Sequence, residues 1–350
     1  MVKKMKRDVS NHKARFVYLD NIKFFMSLII VIYHYNYFCR NHENPYMFKG
    51  GYLAVEVFFV ISGFLFCLFE IDSKEMREKS IIHCMKHKVA GLFPAYAVSL
   101  IVSFGINIAP KIKDMNLKEF LKSCFWFAGD VLMIGEWGIP KIKPVYNIIT
   151  WYISAMLLAF IFWLILFKII NKKYYLVMTT LITVLIYGYL AFYAGNLHVH
   201  GNRTHFLLMD GALRGIAGIG AGCLACRLYK QLKDVKSIYR QMTAWISFAG
   251  TVAVLFLAKD AVTDFIIIPL AIFMVAGASA LTAENGQVVR MSAFMGKFSY
   301  FVYLNHLIVL NVMKYVLKEY SIFLYLCIVL LYSLVNMGLI NLMKNKIKKK

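Results

Sequence analysis

Charged residues, acids above all, and prolines are scarce in this 350-residue chain, and the shortage excludes several classes of protein. Only 17% of the residues are charged and 60% are hydrophobic, whereas soluble proteins average about 25% and about 45–50%. This composition excludes a disordered chain, a collagen, a coiled coil and an ordinary cytosolic enzyme. The 6 prolines and a mean hydropathy of +0.63 fit long apolar helices. The sequence therefore predicts an all-α, polytopic membrane protein.

Positive charge dominates what little charge there is. The chain has 40 Lys and Arg against 18 Asp and Glu, a formal net charge of +22. The basic residues fall in short runs between apolar stretches, which is typical of cytoplasmic loops and argues against a nucleic-acid partner. The length leaves little room for a soluble domain. We therefore expect one membrane domain over residues 1–350, with a basic cytoplasmic arm (1–21) and a basic cytoplasmic tail (343–350).

The seven cysteines do not form a recognisable disulfide framework, because their number is odd and most lie in or beside apolar runs. Cys223 and Cys226 form a CxxC pair. No second pair and no nearby histidine accompanies them in the sequence, so we expect no metal site. Small residues in helix packing are the simpler interpretation.

The hydropathy pattern predicts ten membrane spans, since each needs about 20 mostly apolar residues. An eleventh candidate, 120–135, is shorter and contains Lys122 and Asp130. Both ends of the chain are basic, and basic segments stay in the cytoplasm, so an even number of spans with both termini inside is favoured. We interpret 120–135 as a re-entrant or interfacial segment on the outer side. The predicted spans are 22–39, 51–70, 89–108, 149–170, 174–194, 206–226, 242–258, 262–282, 298–317 and 320–342.

The first span contains an ionisable stripe. No small-residue cleavage motif follows this apolar run, so we expect it to remain as a helix. His34 lies eleven residues after Lys23, which at 3.6 residues per turn is about 20° from the same face and about 16 Å along the axis. Asp20 falls on that face too. The alternatives are a helix-start acid, a snorkelling lysine and a packed interior histidine. Together, on one face, they favour a functional site.

Further polar residues lie in later spans. A charge on Glu56 facing lipid would be very costly, so Glu56 should face a wet cavity or a basic partner. Arg214 follows Asp210 by four residues, and a self-neutralising pair is the alternative to a functional role. Ser62 is followed by Gly63, which as a pair also favours close helix packing.

The span at 298–317 contains Ser299, Tyr303 and His306, spaced by four and three and hence on one helix face. A structural hydrogen-bonding role for His306 is as open as a catalytic one. Trp151, at the start of the span 149–170, is in the position of an ordinary interface anchor.

Four segments together resemble the membrane acyltransferase family 3 proteins. LDNIKFFMSLIIVIYH ends at His34 and is similar to the family's first-helix block. GYLAVEVFFVISGFLF resembles its second-helix block, LFPAYAV at 92–98 its Pro-x-Tyr segment, and FSYFVYLNHLIV its late Ser-Tyr-x-x-Tyr-Leu-x-His block. The resemblance covers the whole chain in order.

The resemblance implies about ten transmembrane helices and a multi-pass protein of a bacterial cell membrane, embedded in lipid. It implies an acyl-CoA donor on the cytosolic side, usually acetyl-CoA, bound as a substrate with no resident cofactor. The acceptors of the family are hydroxyls of surface glycans, their lipid-linked precursors, peptidoglycan, other lipids or small molecules. We therefore expect an O-acyltransferase acting on a saccharide or lipid-linked glycan.

By residue, His34 matches the family's essential first-helix histidine, either as the general base or as a transient acyl carrier. Lys23 replaces the usual arginine, and a lysine is a point charge rather than a planar fork. Gly91 stands where a second arginine is common, and the span at Trp151 lacks the glutamate that often follows the tryptophan.

The expected roles divide between two groups of residues. Lys23, Lys86 and Lys88 would meet the CoA phosphates, and Asp20 would hold Lys23. Ser62 and Tyr303 are candidate oxyanion donors. The predicted catalytic residues are His34, Asp20, Lys23, Glu56 and Ser62. The predicted substrate-binding residues are Lys86, Lys88, Tyr96, Trp151, Arg214, Tyr303 and His306.

Two other functions fit a polar cavity in a membrane bundle. A glycan or lipid flippase would use the cavity for passage alone, without consuming acetyl-CoA. A membrane sensor or anchor domain would need no catalysis at all. Turnover of the acyl donor distinguishes the enzyme from both.

Overall fold

The structure is a computed structural model, and within its described ranges every regular element is helical. The described ranges are 15–39, 47–73, 78–139, 145–200, 208–258, 261–316 and 321–348. Most of the predicted basic arm, and the extreme end of the predicted tail, lie outside them. The α-helices are α1 Val17–Cys39, α2 Ala54–Phe66, α3 Ile81–Ile108, α4 Leu117–Val131, α5 Trp151–Ile169, α6 Tyr175–Tyr193, α7 Asp210–Leu232, α8 Ser237–Leu257, α9 Ile267–Ser279, α10 Gly286–Val316 and α11 Ile322–Lys348.

Ten helical segments in the described part of the chain are long and apolar enough to cross a membrane, which confirms the predicted number of spans. The exception among the α-helices is α4, the segment predicted to be re-entrant or interfacial. Its 15 residues extend about 22 Å at 1.5 Å per residue, short of an approximately 30 Å hydrocarbon core. A capping box between Asn116 and Glu119 starts the helix, and one face exposes Leu117, Leu121 and Phe125. These features are typical of a helix at a membrane surface.

Several predicted boundaries were wrong, and the largest errors made the helices too short. Helix α3 begins at Ile81 rather than 89, with Ser80 as its N-cap, and α10 begins at Gly286 rather than 298. Helix α11 continues to Lys348 through the predicted tail. Hydropathy marks where apolar residues begin, but lysine and arginine are good helix formers, so a helix continues past the apolar stretch.

The spans form an inner and an outer layer. Helix α7 is almost entirely buried and packs against α2, α5, α6 and α9, while α1 packs against α10. Helices α3, α6, α8 and α11 expose most of their apolar surface. This is the arrangement expected when lipid, rather than water, surrounds the bundle. Polar side chains at the inner helix contacts are thereby removed from lipid.

Glycines let α2 and α7 approach each other closely. A Cβ on Gly222 would lie 2.3 Å from the carbonyl oxygen of Val60, and one on Gly63 would lie 2.2 Å from that of Ile219. No real side chain fits at these distances, so both positions require glycine. Small residues at helix interfaces are the usual means of close packing in membranes. The sequence interpretation of Ser62–Gly63 as a packing pair agrees with this contact.

Candidate active site

Two histidines from opposite ends of the sequence meet between α1 and α10. The His34 Nδ1 atom lies 3.0 Å from Nε2 of His306, although the two residues are 272 apart in sequence. The rings are tilted at 37° with centroids 4.9 Å apart. His306 is fully buried, whereas His34 is partly accessible and stacks on Phe38. The predicted His34 and His306 therefore belong to one site.

Backbone carbonyls determine which nitrogen of each neutral ring carries the hydrogen. Nδ1 of His306 lies 2.7 Å from the Tyr303 carbonyl oxygen, and Nδ1 of His34 lies 3.0 Å from that of Ile30. A carbonyl oxygen can only accept, so both Nδ1 atoms must be donors. The single hydrogen on Nδ1 of His34 is then shared between two acceptors, the Ile30 carbonyl oxygen and Nε2 of His306, as a three-centre hydrogen bond. The lone pair of His34 is left on Nε2, which is the nitrogen able to take a proton.

A buried ion pair lies beside this site. Glu56 Oε1 accepts from Arg214 Nε at 2.7 Å, and both side chains are almost inaccessible. Tyr187 donates to the other carboxylate oxygen at 2.8 Å. The Arg214 guanidinium also lies over the ring of Trp151, 4.9 Å from its centroid. Glu56 thus has the basic partner that the sequence required, from another helix.

Trp151 is buried inside the bundle, so the interpretation as an interface anchor was wrong. Its ring stacks on His200 with centroids 5.0 Å apart and planes at 16°. Arg214 of α7 and Phe59 of α2 also pack against the Trp151 ring. Hydropathy could not distinguish the two positions, because a tryptophan at the start of a span is compatible both with a membrane interface and with the interior of the bundle.

The loop after α6 contributes two histidines that sequence reasoning missed. Arg214 Nη1 donates to the carbonyl oxygen of Val199 at 2.9 Å, which fixes the loop against α7. His198 on one side hydrogen-bonds through Nε2 to the Tyr33 hydroxyl at 3.0 Å. On the other side, burial and the nearby Arg214 charge lower the pKa of His200 to about 4. The HVH pattern at 198–200 was the available signal, but its loop position hid its proximity to the site.

Glu136 is a second omission. It lies after α4, and its backbone N–H donates to the Ser154 hydroxyl at 2.9 Å. The carboxylate is so close to α7 that a Cβ on Gly211 would lie 2.5 Å from Oε2 and 3.1 Å from the ring of Trp151. The Glu136 carboxylate and the Trp151 ring therefore both border Gly211, although no carboxylate follows Trp151 in sequence.

At the other end of α1, Asp20 and Lys23 form the expected contact. Lys23 Nζ lies 3.1 Å from Asp20 Oδ1, and Arg15 Nε lies 2.7 Å from Oδ2. These three residues and Arg290 line a cavity of about 860 Å³. His34 is not among the residues that line it. The polar stripe of α1 thus has a cationic cavity at one end and the histidine pair near the other.

The remaining predicted site residues lie apart from the histidine pair. Lys86 is exposed on α3, and the Lys88 ammonium lies over the ring of Phe160, 4.4 Å from its centroid. Tyr96 is buried and donates to the backbone carbonyl of Asp130 at 2.5 Å. The early start of α3 places both lysines on a helix, whereas the sequence assigned them to a loop.

The two candidate oxyanion donors already have partners. Tyr303 donates its hydroxyl hydrogen to the Ile149 carbonyl oxygen at 2.7 Å. The Ser62 hydroxyl lies 3.0 Å from that of Tyr152. Because a hydroxyl has a single hydrogen, Tyr303 can act on a reacting carbonyl only if it leaves Ile149.

These features define a helical membrane protein in which a histidine pair and a polar cluster around Trp151 lie toward one end of α1, and a cationic cavity lies at its other end. The sequence model of a family described as an acyltransferase domain, Acyl_transf_3, matches residues 16–341. The chain belongs to this family, which confirms the resemblance found in the four sequence blocks.

Curated relatives give a weaker similarity. The O-acetyltransferase OatA of Staphylococcus aureus, in strains NCTC 8325 / PS 47, COL and MRSA252, is 24% identical over 139 residues. The match covers 37% of this chain and 22% of the length of each relative. No solved structure matches the chain significantly.

Proposed function

We propose that this chain is an integral-membrane O-acyltransferase of the bacterial plasma membrane. It moves an acyl group, acetyl in the first instance, from cytosolic acyl-CoA to a hydroxyl of a cell-surface polysaccharide or its lipid-linked precursor. Family membership supports the reaction class, and the similarity to the O-acetyltransferase OatA supports an oxygen acceptor. The observation on which the proposal depends is the hydrogen-bonded His34–His306 pair.

The pair is suited to general base catalysis. His306 accepts from Nδ1 of His34 and so fixes its ring and tautomer. Nε2 of His34 takes the proton of the acceptor hydroxyl as the oxygen forms a bond to the thioester carbonyl carbon. The carbon–sulfur bond then breaks, and the proton passes from His34 to the departing CoA thiolate. If His34 instead carries the acyl group, Nε2 is the atom that bonds to it.

The cationic cavity supports a donor site at the other end of α1. Arg15, Lys23 and Arg290 bring three positive charges to its wall, and Asp20 holds two of them in position. Basic side chains with free donor hydrogens suit the phosphates of CoA. The thioester would then extend about 16 Å along the axis of α1 toward His34, the rise of eleven helical residues.

The polar cluster around Trp151 supports an acceptor site. Trp151 presents an aromatic face next to His200 and Arg214, and Glu136 provides a carboxylate beside it. Such a ring packs against the apolar face of a sugar, while neighbouring polar groups accept from its hydroxyls. Arg214 fixes this cluster through Glu56 and the Val199 carbonyl, so we assign Glu56 and Arg214 positioning roles.

The test uses the full-length protein in nanodiscs with labelled acetyl-CoA and a panel of saccharide acceptors. We expect acceptor-dependent CoA release by the wild type, and a loss of about 10²–10⁴-fold in kcat for His34→Ala. His83→Ala, at an exposed histidine of α3, is the matched control and should keep full activity. Equal turnover by wild type and His34→Ala would refute the assignment of the base.

His306 acts through His34, so its role is tested by measuring kcat and KM separately. His306→Ala should lower kcat and leave KM for acetyl-CoA unchanged. His306→Gln keeps an oxygen able to accept from His34, so it should recover part of kcat. If no CoA is released with any acceptor, and the protein in sealed liposomes moves a labelled acceptor across the membrane unchanged, the flippase alternative replaces the enzyme.

A further inference from the structure

Three cysteines and an aspartate cluster where α2 and α7 end. The sulfur of Cys67 and the sulfur of Cys226 each lie 3.7 Å from Oδ2 of Asp72. These three atoms all lie within 4.8 Å of one another. Cys67 and Cys226 are buried, and the buried Cys223 thiol donates to the Gly63 carbonyl oxygen at 3.8 Å. None of these residues contacts the histidine pair or lines the cationic cavity.

A π-helical turn brings Cys67 and Asp72 to the same side. Residues five apart in an α-helix lie about 140° apart around the axis, at 3.6 residues per turn. Here the segment Cys67–Ile71 is a π-helix, and the Asp72 N–H donates to the Cys67 carbonyl oxygen at 2.9 Å. Such i to i+5 turns are frequent at functional sites. The backbone irregularity thus creates the pairing of thiol and carboxylate.

The glycine contact between α2 and α7 brings Cys226 to the pair. Gly63 and Gly222 allow the two backbones to touch, as their missing Cβ atoms show. Cys67 and Cys226 each follow one of these glycines by four residues, about one helical turn. Both cysteines therefore lie about one helical turn beyond the closest contact of the two helices, at the same height along the bundle. The CxxC pair gains a third sulfur that is far away in sequence.

The distances suit a tetrahedral zinc ion. Zinc bonds of about 2.3 Å to sulfur and about 2.1 Å to oxygen, at the tetrahedral angle, separate sulfur from oxygen by about 3.6 Å. Both observed separations are 3.7 Å. Two thiolates and a carboxylate form a donor set that zinc accepts readily, whereas calcium and magnesium prefer oxygen alone.

The surrounding charges also suit the ion. Arg227 Nη1 and Lys230 Nζ contact the Asp72 carboxylate at 3.1 and 2.5 Å. These two cations orient the carboxylate, as the groups that hydrogen-bond to metal ligands do in known metal sites. Binding of Zn²⁺ adds two positive charges, and the release of two thiol protons removes two. The net charge beside Arg227 and Lys230 therefore does not change. The basic segment 227–241, which includes the end of α7 and the start of α8, is predicted to be cytoplasmic, where thiols stay reduced.

We propose that Cys67, Cys226 and Asp72 bind one Zn²⁺ as its three protein ligands, and that the ion joins the ends of α2 and α7. The same two helices hold Glu56 and Arg214 at the opposite end, so the ion fixes their relative register. The inference does not depend on acyl transfer, and its test requires no substrate.

The test is a titration of the purified full-length protein, kept reduced, with Co²⁺ and then Zn²⁺. We expect one ion per chain, a thiolate-to-cobalt charge-transfer band, and loss of that band when Zn²⁺ displaces Co²⁺. Cys67→Ser and Cys226→Ser should each weaken binding by at least about 100-fold, beyond the 10–100-fold typical of losing a group that hydrogen-bonds to a metal ligand. Cys327→Ser, at an exposed cysteine of α11, is the matched control and should bind like the wild type.

A second measurement covers variants that fail to fold. In the wild type, Zn²⁺ should slow alkylation of Cys67 and Cys226 but leave Cys327 unchanged, as read by mass spectrometry of the peptides. Equal metal content in wild type and the Cys67→Ser/Cys226→Ser double variant would mean an adventitious ion only and would overturn the proposal. Recovery of a Cys67–Cys226 disulfide from freshly isolated membranes would overturn it too, because oxidised sulfur is not a zinc ligand.

Discussion

Glu56 and Arg214 show at the scale of single residues how a membrane interior treats charge. Each is almost inaccessible, and each would be an uncompensated charge without the other. The Tyr187 hydroxyl also donates to Glu56, and Arg214 also donates to the Val199 carbonyl oxygen. A buried ion pair of this kind gains little over an apolar pair, but breaking it is costly.

We therefore expect Glu56→Gln to lower the free energy of unfolding by about 3–5 kcal/mol, because it leaves the Arg214 charge buried without a counter-ion. The measurement is the apparent Tm in detergent by fluorescence-detected size exclusion. The double variant Glu56→Gln/Arg214→Met removes both charges and should recover part of the loss. A single variant as stable as the wild type would mean that Arg214 has other compensation.

Sequence reasoning identified residues by their cost in lipid, and it therefore worked for some positions and not for others. Asp20, Lys23, His34 and Glu56 stood out because an ionisable residue within an apolar run needs a reason. His198, His200 and Glu136 did not, since polar residues in loops cost nothing. Three tertiary contacts bring the first two loop residues into the site: Arg214 with Val199, His198 with Tyr33, and His200 with Trp151.

At the scale of elements, the contact of α2 with α7 depends on glycine. At Gly222 the atoms that a Cβ would meet belong to the backbone of α2, at 2.3 to 2.6 Å, and cannot rotate away. The two helices would have to separate, which would also separate Cys67 from Cys226. The contact therefore has a stability cost that a substitution can measure.

Gly222→Ala should destabilise the protein by about 1–3 kcal/mol, the usual cost of overpacking a core. Gly188→Ala is the matched control, because a Cβ at Gly188 in α6 meets nothing within 4 Å. We expect that control to be at least as stable as the wild type. Apparent Tm values of the two variants test this, and equal destabilisation of both would contradict the packing argument.

Helix α4 is attached to the bundle through Asp130. Its carboxylate accepts from the backbone N–H groups of Val145 and Tyr146 at 3.2 and 3.1 Å, and Tyr96 donates to its carbonyl. Burial raises the pKa of Asp130 to about 6, against the opposing effect of the two N–H groups. The folded protein thus holds the Asp130 proton more tightly than the unfolded chain does.

This raised pKa predicts the direction of a pH effect. The stabilisation is complete below the unfolded pKa of about 3.9 and is lost as the pH rises through about 6. Asp130→Asn cannot ionise, so between about pH 4 and about pH 7 the apparent Tm of the wild type should fall relative to that of the variant. Parallel curves for the two proteins would show that Asp130 does not titrate in this range.

At the scale of the whole molecule, the two helix layers and the basic segments predict a topology. Ten spans put both termini on one side, and two segments with five Lys and Arg each, 71–88 and 227–241, are predicted to fall on that side as well. The segment 109–116 between α3 and α4 falls on the other side, and it too contains lysines. This segment is the strictest test of the arrangement.

We expect both termini to be cytoplasmic. Green fluorescent protein fused after residue 350 should fluoresce, and alkaline phosphatase fused there should be inactive. Alkaline phosphatase inserted at 109–116 should be active. The reverse pattern at the C-terminus alone would require an odd number of spans and would make α4 a crossing segment.

The sequence by itself determined the class of protein, the number of spans and the polar stripe of α1, because hydropathy and helical period are local properties. Tertiary structure alone decided the pairs that make the sites: His34 with His306, 272 residues apart, and Glu56 with Arg214, 158 apart. It also decided the joining of Cys67 and Asp72 to Cys226. Which helices touch depends on the fit of small residues and on the satisfaction of buried polar groups, and neither leaves a periodic signal in a single chain.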